Sequence, residues 1–286
     1  MTTTADVQEL VTNSCTLPPM PVVATRVMRE LMNPEATADS LSKIIETDQA
    51  LVTRILKIAN SAFYGCARKV GSIQLAVVVL GFNTLKNLVI ATSTKSLYQQ
   101  QGPAEQMLWE HSLAVGVASH VLAMAFCPAH LEDAFTAGLL HDLGKLILYT
   151  QEPERYTTLL ELQKRGVACH SSEQDAYGFT HADVGAVLAN RWNLPVSFES
   201  AIGLHHSLDT PAFKKLRPDA RELTALINLS NTITKQSLAP ASEGVEVPTD
   251  GLEIAMETLA VARERVDEFL TMIKETLEAE KGLFEI

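Results

Sequence analysis

The groups in this chain best able to do chemistry are histidine and carboxylate side chains set among apolar residues. The run "AGLLHDLGKLIL" (Ala137–Leu148) places His141 and Asp142 side by side in an apolar helical pattern. Two ionisable groups there cost free energy unless something pairs with them. Four more histidines stand in similar surroundings: His111 in "LWEHSLAVGVAS", His181 in "THADVGAVLANRW", and His205-His206 in "AIGLHH". Any one of them is explained as a surface residue or a hydrogen-bonded core residue. The pair His205-His206, near a helix end, would also complement the negative end of the helix dipole. As a set they carry more, because they fall on different predicted helices. Imidazoles and carboxylates gathered from several helices are how bundle folds build metal sites. Neutral imidazole is a common ligand of first-row metals, and a carboxylate can bridge two ions. This N/O donor mix suits Fe, Mn, Ni or Zn without choosing among them. Spacing alone leaves open whether the helices converge. Lys145, one turn after His141, either lies beside an anion at such a site or is solvated on an amphipathic helix.

The elements that must position these groups read as helices throughout, and no alternating run reads as a strand. "LPPMPVVATRVMRELMNP" begins with prolines suited to a first helical turn and stops at Asn33-Pro34. "TADSLSKIIETDQALVTRILKIANSAFYG" holds two helices, and "SIQLAVVVLGFNTLKNLVIATS" reads as helix, Gly81 turn, helix. A long helix starts at Pro103, and the run containing His141-Asp142 follows on one helix from about Leu131. Thr180 is a candidate N-cap with Asp183 three residues on. The stretch 237–251, "SLAPASEGVEVPTDG", is a linker rich in Pro, Gly and Ser. A last helix puts Leu259, Val266, Phe269, Ile273 and Leu277 near one stripe, which either covers the helical core or docks another chain. The expectation is an all-α protein of two helical lobes: 1–100, then 101–236, with linker and C-terminal helix in 237–286.

Composition narrows the function classes. The 286 residues carry a net charge of −11. Residues 1–100 hold 9 Lys/Arg against 7 Asp/Glu, so the acidity lies beyond them. That balance opposes attraction to nucleic acid or to anionic lipid. "AVVVLGFNTLKNLV" resembles a helix–turn–helix only superficially: Asn83, Thr84, Lys86 and Asn87 stand amid Leu, Val and Ile, which suits core packing. The longest apolar run, "LAVVVLGF", is too short for a bilayer. The N-terminus lacks the pattern of a signal peptide, and four widely spaced cysteines form no C-x-x-C, so a cytoplasmic protein with reduced thiols is expected. Neither a phosphate loop of the G-x-x-x-x-G-K-[ST] type nor a G-x-S-x-G elbow occurs.

In combination, "LPPMP", "LSKIIETDQALVTRILKIANSAFYG", "SIQLAVVVLGFNTLKNLVIA", "LWEHSLAVGVAS", "AFTAGLLHDLGKLIL", "THADVGAVLANRWNLP" and "AIGLHH" resemble the HDOD (HD-related output domain) family, over about Leu17 to Ser207. This is a signalling branch of the HD superfamily of metal-dependent phosphohydrolases. The resemblance implies a bacterial regulatory module with an N-terminal helical lobe and an HD-like helical lobe, most relatives being non-catalytic. By resemblance to metal-binding HD domains, His111 matches the first ligand, His141-Asp142 the name-giving pair, and His181 and His205-His206 the extra ligands of two-metal phosphodiesterases. The late Asp of that pattern is Asn231 here, and no Gly-Tyr-Pro element follows His206. Two divalent ions against the single carboxylate Asp142 would leave about +3, which favours phosphate or a phosphorylated ligand and weakens retention of a second ion. The expectation is therefore a regulatory output module with one or two divalent metal ions. Its partners would be signalling proteins or a phosphorylated small ligand. The alternative is a metal-dependent phosphohydrolase, in which Asp142 and Lys145 would be the catalytic candidates.

Overall fold

The structure, a computed structural model, describes residues 4–61, 64, 69–98, 102–238 and 248–279. Among these residues no strand occurs; helices and two 3-10 turns carry the fold. In order, α1 (Thr4–Ser14) is followed by α2 (Val22–Leu31), α3 (Ala38–Ile45), α4 (Gln49–Ala59), α5 (Ile73–Leu80) and α6 (Phe82–Thr94). Then come α7 (Pro103–Phe126), α8 (Leu131–Leu140), α9 (Leu143–Gln151), α10 (Pro153–Lys164), α11 (Cys169–Tyr177) and α12 (His181–Arg191). The chain continues with α13 (Val196–Leu204), the short α14 (Pro211–Lys214), α15 (Pro218–Leu238), α16 (Leu252–Thr258) and α17 (Glu264–Ala279). Contacts group the chain into two compact units: Pro19–Gln99 with Thr276–Ile286, and Met1–Pro18 with Gln100–Glu275.

Local chemistry sets the helix starts in the smaller unit. Thr37 and Ser40 form a capping box at α3, and the side chains of Asp48 and Ser72 cap α4 and α5. Each satisfies an amide that the first helical turn leaves without a partner. Gly81, at φ 84°, separates α5 from α6 in a conformation that side-chain-bearing residues rarely adopt. The apolar stripes close on a core that includes Leu41, Ile45, Ile55, Ile73 and Leu85, all at most 1% exposed. Asn87, from the segment resembling a helix–turn–helix, is itself buried.

The larger unit holds the candidate site. Pro103 opens α7, and the Thr180–Asp183 capping box opens α12, directly ahead of His181. Close helix approach depends on missing side chains. A Cβ on Gly138 of α8 would stand 2.8 Å from Gly116 Cα of α7. One on Gly144 of α9 would meet the His181 carbonyl oxygen of α12 at 2.0 Å. These contacts bring the helices bearing His111, Asp142 and His181 to within side-chain reach of one another.

The structure departs from the sequence expectation in three places. The His141-Asp142 run is two helices: α8 ends at Leu140, and Asp142 (φ −103°, ψ 11°) leaves helical geometry before α9. At the break the His141 ring reaches back to the Gly138 carbonyl (Nδ1···O 2.7 Å). The final helix is likewise two, because Ala260 (φ 52°) turns the chain; Leu259 closes α16, while Val266, Phe269 and Ile273 lie buried on α17. Residues 1–18 group with the larger unit. Thr16 N donates to Gln151 Oε1 (3.1 Å), Trp192 Nε1 donates to the Pro18 carbonyl (3.1 Å), and α1 packs on α12. Of the linker read at 237–251, residues 239–247 lie outside the described residues. Cys15, Cys127 and Cys169 are buried free thiols, and Cys66 lies outside the described residues. Among the described residues no helix is long and apolar enough to cross a membrane.

Candidate metal centre

Asp142 is the hub of the site. Its Oδ2 lies 3.4 Å from His111 Nε2 (α7), 3.3 Å from His141 Nε2 and 2.8 Å from Lys145 Nζ (α9). Its Oδ1 lies 3.1 Å from His181 Nε2 (α12) and 3.7 Å from His205 Nε2, at the end of α13. His206 joins from the next position, its ring centroid 4.1 Å from that of His205 and 5.2 Å from that of His181. Their ligand atoms form two groups that share Asp142. One is His111, His141 and Asp142; the other is Asp142, His181, His205 and His206. Sharing one carboxylate is the arrangement that lets it bridge two ions.

Apart from the Asp142–Lys145 ion pair, the atoms that face inward lack hydrogen-bond partners. Both Asp142 oxygens, the Nε2 atoms of His111, His141, His181, His205 and His206, and Asn231 Oδ1 are buried without a completed hydrogen bond. Buried polar groups in folded proteins are almost always satisfied, and the His and Asp atoms among these lie close enough together to hold an ion. The far sides of the rings, by contrast, are tied down. His141 Nδ1 and His205 Nδ1 donate to the carbonyls of Gly138 and Ile202, each at 2.7 Å. His181 Nδ1 donates to Glu173 Oε2 at 2.5 Å. Fixing the proton on Nδ1 leaves the Nε2 lone pair free for a metal. The residues present therefore fit a divalent ion.

Electrostatics agree with that geometry at three of the histidines, while at His181 burial is outweighed by the charges of Glu173 and Asp142, which raise it. Burial, only partly offset by Asp142, pulls His111 down to about 4, and burial with neighbouring imidazoles holds His205 and His206 well below the usual histidine range. Neutral imidazole is the form that binds metal. Burial alone would raise the Asp142 carboxyl, but His141, Lys145 and His181 more than reverse that and keep it ionised. Lys145, expected either at an anion or in solvent, is 1% exposed and pairs with Asp142. Burial works against its ammonium, and the Asp142 charge wins, raising it above the ordinary lysine value.

Three supporting groups were not singled out in the sequence. Glu173 of α11 accepts from the amide and ring of His181 and from the Tyr156 hydroxyl, and Cys169 Sγ lies 3.3 Å from its Oε1. Burial would raise Glu173, but the adjacent His181 brings it down to about 2. Asn228 of α15 donates to the carbonyls of His205 (2.7 Å) and Asp250 (2.8 Å), anchoring the second metal group from behind. His170 stacks on His206, with ring centroids 4.6 Å apart. A carboxylate eight residues before His181 is the one local signal for Glu173; the other two contacts arise only from tertiary packing. His130 lies apart from the cluster and pairs with Glu222 at 3.2 Å.

The HDOD domain family matches residues 17–208, more than half of the chain. The chain belongs to the HDOD family. An uncharacterized protein of Treponema pallidum (strain Nichols) is 31% identical over 194 residues, covering 67% of this chain and 38% of that protein. Bacillus subtilis (strain 168) YuxH, also uncharacterized, is 29% identical over 97 residues, 34% of this HDOD chain and 24% of its own length. The chain thus spans well under half of either relative. Among solved structures, an HDOD domain protein of unknown function from Geobacter sulfurreducens superposes with a TM-score of 0.66 at 21% identity, covering 98% of both chains. A provisionally assigned metal-dependent phosphohydrolase from Shewanella amazonensis SB2B gives 0.69 at 18% identity, covering 95% of both. At such identities the likeness establishes the HDOD fold, which is all-α.

Proposed function

We propose that this HDOD chain is a bacterial, cytoplasmic signalling output module whose larger unit holds one or two divalent metal ions and hydrolyses phosphoesters slowly or not at all. The observation that carries the reading is the convergence of two groups of unpaired ligand atoms on Asp142. His111, His141 and Asp142 would hold one ion, and by the family resemblance Asn231, whose Oδ1 is buried and unpaired, would be a neutral donor in place of a late carboxylate. Asp142, His181, His205 and His206 would hold the other. Bound ions would supply Lewis acidity and the means to activate water. The chain's own residues do the rest. Glu173, Gly138 O and Ile202 O orient the rings, and Lys145 stabilises charge on Asp142 or on an anion beside it.

Two features favour regulation over turnover. Asn231 offers no charge to help retain a second ion, and the ligand atoms are sealed from solvent. A phosphohydrolase remains the second reading, favoured by the shared carboxylate and the buried lysine beside it. Nucleic acid and membrane fit neither reading, given the net charge of −11. The test is elemental analysis of untagged protein alongside a phosphoester screen with added Mn or Fe, comparing wild type, Asp142→Ala and Asn231→Asp. Metal in the wild type, its loss in Asp142→Ala, and turnover gained only in Asn231→Asp are the expected results. Robust turnover by the wild type, abolished in Asp142→Ala, would establish the enzyme instead.

A further inference from the structure

We propose that Asn228 is a positioning residue that couples ion binding at His205-His206 to the docking of α16. The proposal rests on the metal reading above and adds a route by which occupancy of the centre is felt away from it. Asn228, 2% exposed on α15, spends the N–H groups of its side chain on two backbone carbonyls. One belongs to His205 (2.7 Å), the residue that closes α13 and supplies a ligand nitrogen to the second group. The other belongs to Asp250 (2.8 Å), in the turn that opens α16. Asn228 Oδ1 is buried without a hydrogen bond, so among the described residues these two carbonyls are what fix the amide.

The same turn approaches the neighbouring ligand by a second path. Asp250 Oδ2 lies 3.9 Å from His170 Nε2, and the His170 ring stacks on that of His206 with centroids 4.6 Å apart. Packing leaves the turn little slack. A Cβ on Gly251, which sits at φ 76°, would stand 3.2 Å from Asn228 Nδ2 and from Leu208 Cβ. Beyond the turn, α16 packs on α15 with Leu252, Ala255 and Met256 buried. His205 and His206, once drawn onto an ion beside Asp142, hold their own backbone still. The His205 carbonyl then fixes the Asn228 amide, and the amide fixes Asp250. Two equilibria that share a hydrogen-bonded residue in this way are coupled reciprocally, so docking of α16 strengthens ion binding by the same factor. In an output module, this makes ion loss legible on the α15 face that α16 covers.

The experiment is hydrogen–deuterium exchange on the full chain, with and without bound manganese, and with metal content measured in parallel. In wild type the amides of α16 should exchange about fivefold more slowly with manganese bound, the worth of one neutral hydrogen bond. In Asn228→Ala at matched manganese content that difference should vanish, whereas Asp250→Ala, which keeps the carbonyl, should retain it. Exchange at α10 that matches wild type confirms that the variants are folded. Gly251→Ala disturbs the turn from outside the ligand set and should weaken manganese retention against a chelator about fivefold. Equal exchange at α16 with and without manganese in wild type overturns the coupling. Faster exchange in Asn228→Ala with the manganese effect intact assigns that residue a merely structural role and overturns the proposal. So does loss of the effect in Asp250→Ala alone, which would place the coupling on the His170 path. A wild type that takes up neither manganese nor zinc overturns the metal reading, and the coupling with it.

Discussion

At the scale of single residues, the buried pair Asp142–Lys145 and the buried carboxylate Glu173 make separable predictions. Removing Asp142 leaves Lys145, 1% exposed, as an uncompensated charge. Breaking such a pair costs about 3–5 kcal/mol, whereas replacing both partners with apolar groups costs far less. Asp142→Ala should therefore lower the urea midpoint sharply in metal-free protein, and Asp142→Ala with Lys145→Met should recover most of the loss. Equal destabilisation of the single and double variants would show that the pair is not the cause. Glu173→Gln retains the shape of the residue but weakens the charge that orients His181. Partners of this kind typically contribute about 10–100-fold to metal affinity. Competition with a chelator should show a drop of that order in Glu173→Gln, with a smaller drop in Tyr156→Phe. His141, Asp142 and the other histidines could be picked out in the sequence because apolar surroundings make an ionisable group conspicuous. Glu173 and His170 were not, since a glutamate and a histidine in a polar stretch look ordinary until α11 is placed beside His181 and His206.

At the scale of elements, missing side chains set how closely the helices approach. Gly144→Ala would put a carbon 2.0 Å from the His181 carbonyl, a backbone atom that cannot swing aside. The change should cost about 3 kcal/mol and loosen metal retention, because α9 and α12 must separate. Gly71, with nothing within 4 Å of its added carbon, is the control and should tolerate Ala within about 0.5 kcal/mol in the same thermal melts. Thr180→Ala removes the acceptor that caps α12, and a loss of about 1 kcal/mol is expected. The Gly81 turn and the Thr180–Asp183 box were legible in the sequence because both are local chemistry. The break at His141-Asp142 was not, since the apolar spacing runs on unchanged from α8 into α9. The same applies to the last helix, where Leu259 continues the stripe in sequence although Ala260 turns the backbone.

At the scale of the whole molecule, the all-α class was legible because helical periodicity dominates from end to end. The membership of residues 1–18 was not. Their bonds to Gln151 and from Trp192 span more than 130 positions and leave no local pattern. Deleting residues 1–18 uncovers part of α12, the helix that begins with His181, and should lower both the melting temperature and the metal content of the protein. Unchanged values would mean that α1 is a passive appendage. Burial of the ligand atoms has a further consequence, one of timing. With every inward-facing nitrogen and oxygen of the cluster out of contact with solvent, an ion cannot leave until packed helices part, so its release is governed by local opening. Which metal the protein carries is then decided by what was present when the chain folded, more than by relative affinity. Protein folded in zinc and challenged with excess manganese should keep its zinc, while the same protein unfolded and refolded in manganese should carry manganese. Rapid exchange in the folded protein would show instead that the site remembers nothing of its origin.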